Sequence, residues 1–218
     1  MDKETFWNYF NNEISSRLSI RQQTFRKMFE YLDSFQRPVF IVETGCVRNS
    51  NTYEGEGQST ILFDKYANAN PGSLVYTVDL DPKATQLCQS LVSQNVKVHT
   101  GDSIAFLRQI STKPPQPFAT IDLLYLDSYD VDFTNPHPSA LHHIKELLAA
   151  SPLVTDKTLV VVDDSPSDTS MIFNEGGTVT FLSKPKISGK GRYIAEYAET
   201  VAAKLEFAAY QCGWTGLK

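Results

Sequence analysis

The residues best equipped for chemistry are carboxylates that each stand directly after a short apolar run. Glu43-Thr44-Gly45 follows the run at 39–42, Asp79-Leu80-Asp81 the run at 74–78, and Gly101-Asp102-Ser103 the run at 96–98. Asp127 follows 121–126, and Asp163-Asp164 follow 158–162. Any one of these acids is explained equally well as a helix N-cap, Asp81 and Asp102 above all. Capping accounts poorly for all of them together, because clustered carboxylates repel and call for a cationic ligand or a metal to offset them.

Two kinds of chemistry suit this set. Asp79, at the end of the second run, can accept hydrogen bonds from the two hydroxyls of a ribose, which points to an adenosine-like ligand. Asp127, Asp163 and Asp164 offer hard oxygen donors at the ends of two runs expected to be adjacent strands, a set that suits Mg2+ and leaves positions for substrate oxygens. The alternative is that Asp164 caps the turn at Ser165-Pro166 while Asp127 supports a cofactor. The glycines after the first run do not form Gly-x-Gly-x-x-Gly: Gly45 is followed by Cys46-Val47-Arg48 and a polar stretch through Tyr53, and Gly55, Gly57 and Ser59 come later. That tells against a dinucleotide fingerprint.

The elements that must position these residues are legible as an alternation. The five apolar runs read as strands, and helical periodicity at 58–69, 82–92, 102–110 and 138–150 lies between them, as crossover connections of a parallel sheet require. The fold class is therefore α/β, a Rossmann-like, doubly wound and mostly parallel sheet, in which ligands bind beyond the carboxyl ends of the strands. Phe6, Phe10, Ile14, Leu18, Phe25, Phe29 and Leu32 predict two N-terminal helices before Pro38. Residues 1–37 are read as a helical extension of the domain at 38–218. It is expected either to cover the site or to join subunits of a homo-oligomer. The Gly-, Ser- and Pro-rich stretch 165–190 reads as a long loop with a short strand at 178–182, followed by a helix at 191–204 and a strand at 205–211.

Bulk properties narrow the partners. The chain has 218 residues, 41% of them hydrophobic and 21% charged, the profile of a globular domain. A net charge of -5 without a Lys/Arg run tells against nucleic acid or an anionic membrane as partner. Cys46, Cys88 and Cys212 have neither disulfide-framework nor zinc spacing, which fits a reducing cytoplasm. Neither a signal peptide nor a membrane span is expected.

Taken in order, Val42-Glu43-Thr44-Gly45, Thr77-Val78-Asp79, Gly101-Asp102-Ser103 and Leu126-Asp127 resemble the successive cofactor motifs of class I S-adenosylmethionine-dependent methyltransferases, over roughly residues 38–165. Glu43-Thr44-Gly45-x-Val47-Arg48 followed by Gly57-x-Ser59-Thr60 is similar to the macrocin-type sugar O-methyltransferases, relatives of the catechol-type enzymes. The segment 49–56 departs from that pattern as an insertion. The resemblance implies S-adenosylmethionine as cofactor, with Glu43, Thr44, Gly45 and Ser59 around its methionine part, Asp79 at the ribose, Asp102 and Ser103 beside adenine, and Asp127 nearby. It also implies a divalent metal, Mg2+, on Asp127, Asp163 and Asp164, activating a hydroxyl of a small-molecule or sugar acceptor. The general base of those relatives lies three residues after the strand-four Asp as Lys or His. Here that position is Asp130, a weaker base unless burial raises its pKa, and His142, with His137 and His143, is the alternative. Two other readings stay open: an NAD-dependent oxidoreductase, since Asp79 also suits an NAD ribose, and a non-catalytic nucleotide-binding module.

Overall fold

Phe40–Thr44 forms strand β1, buried along its whole length because the sheet is covered on both faces. The alternation of its side chains makes two cores: Ile41 joins one apolar cluster, whereas Phe40 and Val42 join another. Parallel to it run β2 (Leu74–Asp79), β3 (Val96–Thr100), β4 (Leu123–Leu126) and β5 (Leu159–Val162). The computed structural model describes residues 2–56, 58–174 and 178–218, so Gly57 lies outside the described residues.

Helices α1 (Lys3–Tyr9) and α2 (Gln22–Asp33) lie before β1, and α3 (Tyr53–Glu56) and α4 (Ser59–Ala69) follow it. Next come α5 (Pro82–Leu91), α6 (Ser103–Thr112) and α7 (His137–Ala150). After β5 the chain forms β6 (Met171–Phe173), β7 (Val179–Phe181), α8 (Arg192–Thr200), β8 (Lys204–Ala208) and β9 (Cys212–Thr215). The large sheet has the order β3-β2-β1-β4-β5-β9-β8, with β9 antiparallel to both neighbours. Helices cover both faces, and the fold is Rossmann-like α/β.

Local signals explain the helix starts after β2 and β3. Asp81 caps α5 through the Lys83 amide with Pro82 at the first helical position, and Asp102 caps α6 through the Ala105 amide. One core is aromatic: Phe6, Phe10, Phe25 and Phe29 from the N-terminal segment pack with Phe63 and Tyr66 of α4 and Tyr125 of β4. The other joins the opposite sheet face to α6, α7 and α8 through Leu107, Leu147 and Ile194.

Three expectations need correction. The two N-terminal helices are shorter than the pattern implied: between them run a π-helical stretch, Phe10–Ile14, and a 3-10 stretch, Ser15–Arg21, broken where Ser19 takes φ 48°. In the 165–190 segment the short strand expected at 178–182 is present as β7, and what the pattern did not show is β6, which pairs with it antiparallel. The last strand ends at Ala208, and the chain returns as β9 to fill the place between β5 and β8. Among the described residues no helix is long and apolar enough to cross a membrane.

Candidate functional site

A cleft opens over the carboxyl ends of β4, β1, β2 and β3. Gly45, Cys46, Val47, Arg48, Gln58, Ser59, Asp79, Asp127 and Ser128 line one part of it. A second part, sharing Asp79 and Ser128, is lined by Gly101, Asp102, Ser103, Tyr129 and His142. A wider hollow between α2 and β8, lined by Lys27, Glu30, Tyr31, Lys204 and Glu206 among others, contains none of the strand-end acids.

The floor of the first part is backbone. Gly45 has φ +82°, and a β-carbon there would lie 2.6 Å from the Asp127 carbonyl oxygen, so the loop after β1 can pass the loop after β4 only as glycine. Its amide donates to the Val78 carbonyl at 2.8 Å, tying this turn to β2. Asp79 accepts from the Cys46 amide at 3.1 Å and the Asp81 amide at 2.9 Å, which fixes the carboxylate at the cleft wall.

Glu43 and Thr44 are placed differently from a lining role. Glu43 is fully buried beneath the loop and accepts from the hydroxyls of Ser59 (2.5 Å) and Thr60 (2.7 Å). Burial raises its pKa to about 7, against the lowering effect of the Ser59, Thr60 and Thr77 hydroxyls. Thr44 is also buried; its hydroxyl donates to Glu146 at 3.2 Å and lies 3.3 Å from the Asp127 amide. Both residues support the cleft from below, whereas Ser59 reaches its wall.

The acids after β4 and β5 converge, as adjacent strands require, but two cations of the chain already hold them. Arg21 places Nε 3.0 Å from both oxygens of Asp163 and Nη2 3.2 Å from Asp164 Oδ1. Tyr125 donates its hydroxyl to Asp163 at 2.9 Å. Lys190 donates to Asp127 Oδ1 in a short contact and lies 2.9 Å from Asp164 Oδ2. Burial opposes the charge on Lys190, yet the Asp127, Asp164 and Asp163 carboxylates outweigh it and hold the ammonium pKa above its ordinary value. In this arrangement the three acids are paired with Arg21 and Lys190 and do not present the open oxygen set that Mg2+ requires, so the structure lends no support to the expected metal role of Asp127, Asp163 and Asp164. No cluster of three or more His, Cys, Asp or Glu able to hold a metal occurs among the described residues.

Of the expected bases, Asp130 is not among the residues lining the cleft, whereas His142 is. The Asp130 side chain is 73% exposed and paired with Arg48 at 3.0 Å, so the burial that would make it a base is absent. His142 lies 3.0 Å from the Ser103 hydroxyl and 3.3 Å from Glu146, on the β2–β3 side of the cleft with Asp102 and Tyr129. His143 is buried with Nδ1 at 2.7 Å from the Ser139 carbonyl, and burial lowers its pKa to about 4. His137 contacts the Tyr193 hydroxyl at 2.5 Å.

Sequence reasoning missed Arg21, Lys190 and Glu146. Arg21 sits in the N-terminal segment, 142 residues from Asp163, and Glu146 lies on the face of an amphipathic helix. A local signal did exist for Lys190. It stands between Gly189, at φ +64°, and Gly191, and flanking glycines announce a backbone pressed against a neighbour.

No protein-family model matches the chain, and no curated protein does. Among solved structures, the protein LPL1258 from Legionella pneumophila superposes with a TM-score of 0.50 at 15% identity, over 94% of this chain and 85% of that one. DhpI in its SAH complex gives a TM-score of 0.46 at 10% identity, over 97% and 92%. TrmN from Thermus thermophilus gives 0.39 at 17%, over 63% of this chain and 36% of that one, so this chain spans about a third of that protein's length. At 15% identity the likeness to LPL1258 concerns the fold alone.

Proposed function

We propose that the chain is an S-adenosylmethionine-dependent methyltransferase, acting on a hydroxyl of a small-molecule or sugar acceptor. The observation that carries this reading is the cleft between Gly45 and Asp79. Its backbone floor excludes any side chain at position 45, and it runs past a fixed carboxylate at the β2 end toward Asp102 and Ser103. A nucleoside with an extended, cationic substituent fits that shape and charge. A pyrophosphate would meet Asp79 and Asp127 and find no glycine-rich turn leading directly into a helix, since a polar stretch separates Gly45 from the one-turn α3 at Tyr53 and from α4 at Ser59.

S-adenosylmethionine supplies an electrophilic methyl group. The chain's own residues would hold it: Asp79 at the ribose, Asp102 and Ser103 with His142 and Tyr129 around the base, and the Gly45–Cys46 turn beneath the amino-acid part. Asp127 lines the cleft on the side of the acid cluster, with Lys190 orienting it. Burial raises its pKa well above the usual carboxylate range, with Lys190 opposing the shift and Asp163 and Asp164 adding to it. By its position at the cleft wall, Asp127 is the carboxylate we assign to take a proton from an acceptor hydroxyl. The O-methyl specificity and the sugar-like acceptor rest on the resemblance of the motifs at 42–48 and 59–60.

Calorimetric titration tests the reading. S-adenosylmethionine and S-adenosylhomocysteine are expected to bind one per chain and NAD not to bind. Asp79→Asn is expected to weaken S-adenosylhomocysteine by about tenfold or more, since a hydrogen bond to a charged group contributes about 1.5–3 kcal/mol. Binding of NAD with no binding of S-adenosylhomocysteine overturns it.

A further inference from the structure

We propose that Lys190 is the resident cation of the strand-end acid cluster, and that the site of Asp127, Asp163 and Asp164 works without a divalent metal. The inference names the cation of the site assigned above to methyl transfer, but its charge balance stands whether or not that reading does.

The oxygen inventory comes first. Asp163 Oδ1 receives Arg21 Nε and the Asp164 amide (2.8 Å), and Oδ2 receives Arg21 Nε and the Tyr125 hydroxyl. Asp164 spends Oδ1 on Arg21 Nη2 and Oδ2 on Lys190 Nζ. Lys190 Nζ then bridges Asp164 to Asp127, joining the ends of β4 and β5. Octahedral Mg2+ needs oxygens at about 2.0–2.1 Å on all sides and could not share these carboxylates with an ammonium donating to the same atoms. With three carboxylates and two cations, little residual attraction for a dication remains.

The position of Lys190 is built into the chain, not left to a flexible surface side chain. Its side chain is 1% exposed. Its amide donates to the Asp164 carbonyl at 3.1 Å. A β-carbon at Gly189 would lie 2.0 Å from that same carbonyl oxygen, and one at Gly191 would lie 2.6 Å from Ser165 Oγ. The Gly-Lys-Gly segment thus presses against the turn after β5, where Asp164 itself has φ 43°, and the lysine is its sole side chain. Arg21 is held from the far side by the Tyr210 ring, 4.6 Å from its guanidinium carbon.

The test uses Mn2+ as the probe, followed by loss of its free-ion electron paramagnetic resonance signal, with the purified chain stripped by chelator. Wild type is expected to leave the signal unchanged up to millimolar Mn2+. Lys190→Met is expected to gain one Mn2+ per chain with a submillimolar Kd, and Lys190→Met/Asp127→Asn to lose it again. Stoichiometric Mn2+ binding by wild type that Asp164→Asn removes would overturn the proposal, and this arm needs no lysine variant to fold. A folded Lys190→Met chain that gains no Mn2+ would overturn it too, because the lysine would then not occupy a cation's place. S-adenosylhomocysteine titrated into the same wild-type sample, with and without chelator, keeps the two claims apart. Equal affinity in both supports the proposal, a loss of affinity with chelator overturns it, and no binding in either counts against the methyltransferase reading alone.

Discussion

The α-carbon of Gly45 lies so close to the Asp127 backbone that an added β-carbon would be 2.6 Å from its carbonyl oxygen. No side-chain rotation relieves that overlap, because the clash is with backbone, and the φ of +82° adds a strain of its own to any other residue. Gly45→Ala is expected to destabilise the chain by about 1–3 kcal/mol. It should also reduce S-adenosylhomocysteine affinity by about tenfold or more. Calorimetry on a chain shown to be folded by circular dichroism checks both, and wild-type affinity in that variant would remove the β1 turn from the binding site.

Glu43 makes a pH prediction with a definite sign. Its folded pKa of about 7 lies above the ordinary value of 4.5 for a glutamate, so the native state holds the proton more tightly than the unfolded chain between those values. The stability this contributes is complete below the unfolded pKa and is lost as pH rises through about 7. The shift corresponds to roughly 3 kcal/mol. Glu43→Gln should flatten the fall in urea stability between the two values relative to wild type, whereas an identical slope in both would mean that Glu43 is ionised throughout.

His143 carries the opposite dependence. Burial lowers its pKa to about 4, so the imidazole stays neutral in the fold while that of the unfolded chain protonates near the ordinary value of 6.5. The associated stability is present above the unfolded pKa and is lost as pH falls through the folded one. Proton resonances of His143 should not titrate from about pH 8 down to about pH 5. A midpoint near 6.5 would place the ring in contact with solvent.

Arg21→Met should be the most damaging of these substitutions. It removes the cationic partner of Asp163, whose side chain is 1% exposed, and one of the two cations on Asp164. Stranding buried carboxylates in this way costs about 3–5 kcal/mol. Urea unfolding measures it, and a loss under about 1 kcal/mol would show that Tyr125 and Lys190 suffice to hold the acids.

The alternation of β-branched runs with helical periodicity was decisive for the α/β class because strands buried on both faces and amphipathic helices write their patterns over neighbouring residues. Phe40–Thr44 and Leu159–Val162 are such strands, and Asp81 and Asp102 mark helix starts through amides two or three positions on. The acids at the strand ends were legible for the same reason: a parallel sheet brings its carboxyl ends to one edge whatever its loops do. β9 was not legible as a separate strand, since the return from Ala208 to Cys212 spans a short turn within what reads as one apolar run.

By itself, then, the sequence determined which carboxylates meet, and only the tertiary structure decided what neutralises them. Convergence of Asp127 with Asp163 and Asp164 follows from strand order, a property of local patterns. Neutralisation depends on Arg21 and Lys190, which reach the site from a kinked N-terminal segment and from a Gly-Lys-Gly turn. Neither position carries a periodic signal, because an ion pair formed across the fold depends on where two distant backbones come to rest; the glycines flanking Lys190 mark a close backbone approach but not the carboxylates it meets. The same holds for Asp130: its place after β4 is local information, while its pairing with Arg48 in solvent was settled by how two loops lie over the cleft.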